Sequence, residues 1–187
     1  MSVSDFANLL KASYNKSPPE LINGFILDKS VSSDTAKTYY NPETNQAVIA
    51  HRGTQGLSDW VNNAVYAVGG LPLYKYTSRY NEGKKIQDKA IAKYGLSNIT
   101  TIGSSQGAIL ARDLGKNTHE VLTFNPAYRG ERRGDNEYSV KSTGDIVSSW
   151  QLPTMNDILI PARSKQAIVE HDIDILNRIE QKKYIGH

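Results

Sequence analysis

A serine placed between two glycines is the feature of this sequence with the clearest chemical potential. In NITTIGSSQGAILARDLG, residues 98–115, Gly103, Ser105 and Gly107 have the spacing G-x-S-x-G. β-Branched residues precede the motif and a helix-forming stretch follows it, which predicts a tight strand-to-helix turn that exposes the hydroxyl. The pattern indicates a nucleophilic Ser105, the alternative being an ordinary loop serine in a chance match.

A serine becomes a nucleophile when a histidine accepts its proton. The chain has four candidates: His51, His119, His171 and His187. His51 precedes the serine, as in chymotrypsin-like proteases, which are β-barrels. His119 is predicted at the far end of the helix that follows Ser105, and His187 is the last residue of the sequence. His171 follows the last predicted strand and is the predicted base, the alternative being a histidine at a helix start.

The histidine in turn needs a carboxylate to orient it. Asp145 follows the predicted strand YSVKST in the segment GDIVSSWQLP, so its side chain is expected at the same sheet edge as Ser105. Three other aspartates compete for this role: Asp135 precedes that strand, Asp157 begins the next, and Asp172 adjoins His171. Asp145 is the predicted acid, the alternative being an aspartate that caps a turn.

Strands and helices are predicted to alternate along most of the chain. Helices are predicted at residues 3–15, 79–94, 106–114 and 170–182, the first from the spacing of Val3, Phe6, Leu9, Leu10 and Tyr14. Strands are predicted at 37–40 and 47–50, which form a hairpin, and at 98–102, 120–124, 138–142 and 158–161. This alternation predicts an α/β fold with a mainly parallel central sheet and helices on both faces.

Composition limits the classes of protein that fit. The 187 residues, 39% of them hydrophobic, predict one domain over residues 1–187. We expect a soluble, cytoplasmic or particle-associated protein, because neither a signal peptide nor a membrane span is recognisable. The absence of cysteine excludes disulfides and thiolate metal sites. The formal charge is +3, and the basic cluster YRGERRG is interpreted as a solvated loop, so no nucleic-acid partner is expected.

Four segments together resemble the class 3 lipases, the family of fungal triacylglycerol lipases. They are VIAHRGTQGLSDWVNN, TTIGSSQGA, KSTGDIVSSWQLP and the late His171, and the resemblance covers roughly residues 39–171. It implies a single-domain α/β-hydrolase in which Ser105, Asp145 and His171 hydrolyse a lipid or small ester without metal or cofactor. The sequence departs from the family at Ser104, where a histidine is usual, and at Gln106, where a leucine is usual.

The resemblance also implies an oxyanion hole and an acyl-binding wall. Thr54 would supply its backbone N–H and hydroxyl to the hole, and Gln106 a backbone N–H. Residues 61–76 stand where such lipases have a lid, and they are expected to touch an acyl chain or, peripherally, a membrane, the alternative being a packed connector. The wall-forming side chains would be Val65, Tyr66, Leu71 and Leu73.

Two other functions fit the same residues. A thioesterase or acyltransferase could use the same triad on another acyl donor or acceptor. A catalytically idle hydrolase fold could serve as a structural or binding component, although an intact triad argues against it. The sequence leaves open the acyl length, the headgroup and the oligomeric state.

Overall fold

An eight-stranded sheet forms the centre of the part of the chain that the structure describes. The computed structural model describes residues 1–54, 75, 77–126, 134–144, 157–162 and 173–176. The strands are β1 (Leu21–Ile22), β2 (Phe25–Leu27), β3 (Ala36–Asn41), β4 (Gln46–His51), β5 (Ile99–Ser104), β6 (Glu120–Phe124), β7 (Glu137–Ser142) and β8 (Asp157–Ile160). They lie in sequence order, antiparallel from β1 to β4 and parallel from β4 to β8.

Three helices have ends that their sequence explains. They are α1 (Val3–Ala12), α2 (Ser78–Tyr94) and α3 (Gln106–Gly115). A capping box between Ser2 and Asp5 begins α1, because each side chain accepts a hydrogen bond from the other residue's N–H. The Thr77 hydroxyl accepts from the Tyr80 N–H at the start of α2, and Gly95, at φ +82°, ends that helix. Short 3-10 turns occupy Lys29–Val31, Leu96–Asn98 and Ile173–Leu176.

The helices cover both faces of the sheet. Alternate residues of each strand point to opposite faces, so β4 contributes Val48 and Ala50 to one core and Ala47 and Ile49 to another. The first core contains the buried side of α1: Phe6, Ala7, Leu9, Leu10 and Ala12. The second packs against Ile86 and Ala90 of α2, and α3 lies beside α2 on the same face. Burial of these faces supplies the main driving force for the fold.

The structure confirms the predicted α/β class, the parallel sheet and the β3–β4 hairpin. One element was missed and one prediction needs correction. A hairpin of β1 and β2 was not predicted, although Asn23 and Gly24 form its turn with φ of +49° and +84°. Within the predicted last helix, the described residues Ile173–Leu176 form a 3-10 turn. Among the residues described, no helix is long and apolar enough to cross a membrane.

Candidate active site

Ser105 stands on a strained turn between β5 and α3. Its backbone has φ +51° and ψ −119°, a region that side chains rarely adopt. The Ser105 N–H donates to the Phe124 carbonyl of β6 at 3.0 Å, and the Ser105 carbonyl accepts from the Ala108 N–H at 3.1 Å. These bonds hold both sides of the residue, so the strand is forced to turn abruptly into the helix. The carboxyl edge of the parallel strands is where α/β folds bind ligands.

Both glycines of the motif lie where no side chain fits. A Cβ on Gly103 would lie 2.8 Å from the Ala108 nitrogen and closer still to the Gly107 carbonyl. A Cβ on Gly107 would lie 2.5 Å from the Arg52 carbonyl oxygen and closer still to that of His51. The first turn of α3 therefore packs directly on β5 and on the segment that follows β4. This is the steric role that the sequence predicts for the two glycines.

The two residues predicted for the oxyanion hole contact each other beside Ser105. The Thr54 hydroxyl donates to the Gln106 side-chain oxygen at 2.9 Å. A hydroxyl has one proton, so in this arrangement it is directed to Gln106. Gln106 is the first residue of α3, and an N–H at that position is not used by the helix's own hydrogen bonds. The positive end of the helix dipole favours negative charge there.

The segment that leads to Thr54 is held from two sides. The Gly53 N–H donates to the Tyr14 hydroxyl at 2.8 Å, and that hydroxyl also hydrogen-bonds the Ser104 hydroxyl. From the other face, the Arg79 guanidinium donates to the Arg52 carbonyl. The apolar spacing of residues 3–15 predicts that Tyr14 packs in the core as part of the first helix, but the structure ends α1 at Ala12, and nothing in the sequence pattern indicates a role for Arg79. The contacts join residues far apart in the chain, so no local pattern could reveal them.

His51 lies at the carboxyl edge but is enclosed. Its side chain is fully buried, its Nε2 lies 3.4 Å from the Gln87 Oε1 of α2, and its Nδ1 has no hydrogen-bond partner among the described residues. Burial, with a smaller contribution from the Arg79 charge, lowers the pKa of His51 to about 4. A histidine this enclosed and this weakly basic is a poor proton acceptor near neutral pH.

Of the other competing residues that the structure describes, two lie at the opposite edge from Ser105. His119 and Asp135 precede β6 and β7, and are exposed at the amino ends of those strands. Asp157 begins β8 and is level with Ser139 of β7, which the strand register aligns with Gly103 of β5. Its buried carboxylate is paired with Lys141 at 3.2 Å. Asp145 follows Gly144, the last described residue at the carboxyl end of β7, and lies outside the described residues.

Several predicted site residues lie outside the part of the chain that the structure describes. They are His171, Val65, Tyr66, Leu71 and Leu73, together with the competitors Asp172 and His187. Within the described ranges, no group of three or more His, Asp or Glu side chains could hold a metal ion.

Solved structures share this fold. Lip2 lipase from Yarrowia lipolytica aligns with a TM-score of 0.53 at 15% identity, covering 78% of this chain and 71% of its own. A mutant form of MDLA from Penicillium cyclopium aligns with a TM-score of 0.53 at 14% identity, covering 88% of this chain and 80% of its own. No protein-family model and no curated protein matches the sequence. The chain therefore has the α/β-hydrolase fold of fungal class 3 lipases.

Proposed function

We propose that this chain is a serine carboxylester hydrolase, built as one domain over residues 1–187. Ser105 attacks the ester carbonyl while His171 accepts its proton, and Asp145 orients His171. The Thr54 and Gln106 backbone N–H groups stabilise the oxyanion. Collapse of the tetrahedral intermediate releases the alcohol, which takes the proton from His171 and leaves an acyl group on Ser105. Water then hydrolyses that ester by the same steps in reverse order.

The backbone of Ser105 is the observation that supports this proposal most strongly. A residue other than glycine at φ +51° and ψ −119° is strained by about 1–3 kcal/mol, and such strain concentrates at functional sites. The serine also stands at the amino end of α3, beside Thr54 and Gln106. An ordinary loop serine needs neither the strain nor two flanking glycines that allow no Cβ.

The proposed substrates are lipids or shorter carboxylic esters. Lip2 from Yarrowia lipolytica, which shares the fold, is a lipase. We place the acyl group against Val65, Tyr66, Leu71 and Leu73 of the 61–76 segment, with peripheral contact to a membrane when the substrate is a lipid in a bilayer. No metal or cofactor takes part in the proposed reaction.

Fluorophosphonate labelling tests the nucleophile directly. The reagent should modify the native chain at one residue, and peptide mass spectrometry should locate the adduct on Ser105. Ser105→Ala should abolish labelling and reduce p-nitrophenyl ester turnover by at least about 1,000-fold. Ser97→Ala, at an exposed serine in the turn before β5, is the matched control and should label like the wild type.

Other results would contradict the proposal. An adduct on a different serine, or turnover by Ser105→Ala within about tenfold of wild type, would remove Ser105 as the nucleophile. A folded chain that neither labels nor turns over esters would favour the catalytically idle fold. Labelling at Ser105 with faster turnover of thioesters, or with transfer to an added alcohol, would favour the thioesterase or acyltransferase.

A further inference from the structure

The peptide group between Arg52 and Gly53 lies one peptide before Thr54, and both of its polar atoms are bound by side chains, one from α2 and one from the segment after α1. Its carbonyl belongs to Arg52 and accepts from Arg79 of α2. Its N–H belongs to Gly53 and donates to Tyr14, two residues beyond the end of α1, at 2.8 Å. Since α1 and α2 cover opposite faces of the sheet, this peptide is held from both sides. The following peptide, which carries the Thr54 N–H, is held in turn, because the Gly53 carbonyl accepts from the Arg52 guanidinium at 3.2 Å.

The Tyr14 hydroxyl is suited to connect this peptide to the nucleophile turn. It accepts the Gly53 N–H and also hydrogen-bonds the hydroxyl of Ser104, the neighbour of Ser105. A phenol has one proton to donate, so the bond from Gly53 leaves that proton available for Ser104. Burial raises the pKa of Tyr14, which keeps the phenol protonated. One hydroxyl therefore links the segment after β4 to the end of β5.

The space around this hydroxyl is filled. A Cβ on Gly53 would lie 2.5 Å from the Tyr14 Oη and 3.1 Å from the Ser104 carbonyl oxygen. Residue 53 must therefore be glycine for the phenol to reach its backbone. The end of α1 places the tyrosine, because the Tyr14 N–H donates to the Lys11 carbonyl at 3.1 Å, and the Ser13 hydroxyl donates to the Leu10 carbonyl at 2.6 Å.

We propose that Tyr14 and Arg79 are positioning residues that clamp the Arg52–Gly53 peptide and thereby aim the Thr54 N–H at the oxyanion. This inference rests on the proposed ester hydrolysis. Neither side chain is assigned contact with the substrate. Tyr14 acts through Gly53 and Ser104, and Arg79 acts through the Arg52 carbonyl. A displacement of the Thr54 N–H weakens transition-state stabilisation, whereas substrate binding in the ground state depends little on that donor.

Tyr14→Phe tests the clamp, because it removes only the hydroxyl. We expect kcat for a short p-nitrophenyl ester to fall by about 10- to 100-fold, with KM changed less than about twofold. Arg79→Gln should act in the same direction. Tyr39→Phe is the matched control: Tyr39 is fully buried on the α1 face, and its hydroxyl donates to the Pro19 carbonyl at 2.9 Å, away from the site. It should change kcat by less than about twofold, although it too loses a buried hydrogen bond.

Hydrogen exchange at the Gly53 amide is the second measurement, and it needs no enzymatic activity. We expect Tyr14→Phe to accelerate this exchange at least tenfold, while Tyr39→Phe leaves it as in the wild type. If Tyr14→Phe does not fold, Ser104→Ala takes its place. That variant keeps the Gly53 bond but removes the partner of the phenol, so it should lower kcat by several-fold.

The two measurements separate the possible failures. If the wild type turns over esters and the kcat of Tyr14→Phe lies within twofold of the wild-type value, the clamp is overturned and the hydrolase proposal stands. Where Ser104→Ala replaces that variant, an unchanged kcat has the same meaning. In a wild type that neither labels nor turns over esters, the hydrolase proposal fails, and the role in oxyanion stabilisation fails with it. Gly53 exchange that Tyr14→Phe leaves unchanged overturns the clamp in either case.

Discussion

Ser105 is the proposed nucleophile, and its backbone conformation lowers the stability of the folded state. Its backbone is in a region that glycine adopts more easily than any residue with a Cβ. We therefore expect Ser105→Gly to be more stable than Ser105→Ala by about 1 kcal/mol, because relief of strain outweighs the added entropy of the unfolded chain. Urea unfolding of the two variants measures the difference. Equal stabilities, or a more stable alanine variant, would show that the turn stores no strain.

His51 lies at the same sheet edge as Ser105, and its burial makes the free energy of unfolding depend on pH. Its pKa is 6.5 in the unfolded reference and about 4 when buried, so the unfolded chain binds the proton more tightly. The folded state is therefore fully stable with respect to this group above pH 6.5, where His51 is neutral in both states, and it loses stability as the pH falls towards 4. The loss should reach about 3 kcal/mol at pH 4.

Urea unfolding between pH 7 and pH 4 checks this prediction. His51→Asn should flatten the dependence of unfolding free energy on pH in that window. His119→Asn, at an exposed histidine, should retain the slope of the wild type. A slope that survives in His51→Asn would assign the acid sensitivity to other groups. Asp28 adds little to the slope, because its pKa of 3.8 in the unfolded chain and about 2 in the folded chain place most of its loss of stabilisation below pH 4.

Residues differ in how much of their role the sequence reveals. Gly103, Ser105 and Gly107 were predictable because their constraint is local: five consecutive residues make one turn. Tyr14 was not, because its partners Gly53 and Ser104 are 39 and 90 residues away. At the sequence level a tyrosine on an apolar helix face is an ordinary core residue. Only the fold brings its hydroxyl to the end of β5.

The connection of α3 to β7 involves a buried ion pair. The Arg112 guanidinium donates to both Glu137 carboxylate oxygens, at 2.6 and 2.8 Å, and the two side chains are only 8% and 1% exposed. The pair links the helix that begins beside Ser105 to the strand that precedes Asp145. Removal of one partner would leave the other charge buried without compensation.

Glu137→Gln should therefore lower the free energy of unfolding by about 3–5 kcal/mol. Asp88→Asn is the control, since Asp88 pairs with Lys84 on the exposed face of α2 and its loss should cost less than about 0.5 kcal/mol. Chemical denaturation of both variants at neutral pH gives the comparison. A similar small loss in both would mean that the buried pair does little to hold α3 against β7.

Elements were predictable where their patterns are long. The apolar spacing of Ile86, Ala90, Ile91 and Tyr94, which predicts α2, runs over more than two turns, and the structure places that helix at Ser78–Tyr94. β1 and β2 have two and three residues, too few for an alternating pattern to stand out. Their turn nevertheless carries the Asn23-Gly24 pair that favours two-residue hairpins, so a search for turn residues would have found them.

The whole sheet explains why residues distant in sequence are expected to meet. From β4 to β8 the strands are parallel and in sequence order, so the segments that follow β4, β5 and β7 leave from one edge. Thr54, Ser105 and Gly144 lie within three residues of the ends of those strands, and Gly144 immediately precedes Asp145. Among the described elements, α2 and α3 lie together on one face and α1 lies on the other, as crossovers of the same hand from β4 to β5 and from β5 to β6 require. The parallel sheet was predictable from the alternation of elements, whereas the side-chain bonds between them were not.

At the scale of the molecule, the composition of the proposed lid segment leads to a prediction of substrate size. The segment 61–76 leaves room for only a short lid and mixes tyrosines with aliphatic residues, so we expect a shallow acyl site that accepts monomeric short and medium-chain esters. In a deep apolar tunnel, each additional buried CH₂ of the acyl chain would stabilise the transition state by about 0.8 kcal/mol and raise kcat/KM about fourfold. In a shallow site, kcat/KM stops rising once the end of the acyl chain reaches solvent. The measurement is kcat/KM for p-nitrophenyl esters of increasing acyl length, below micelle-forming concentrations and again in emulsion. A rise that continues to the longest chains, or a sharp increase in rate in emulsion, would instead indicate a deep site under a mobile lid.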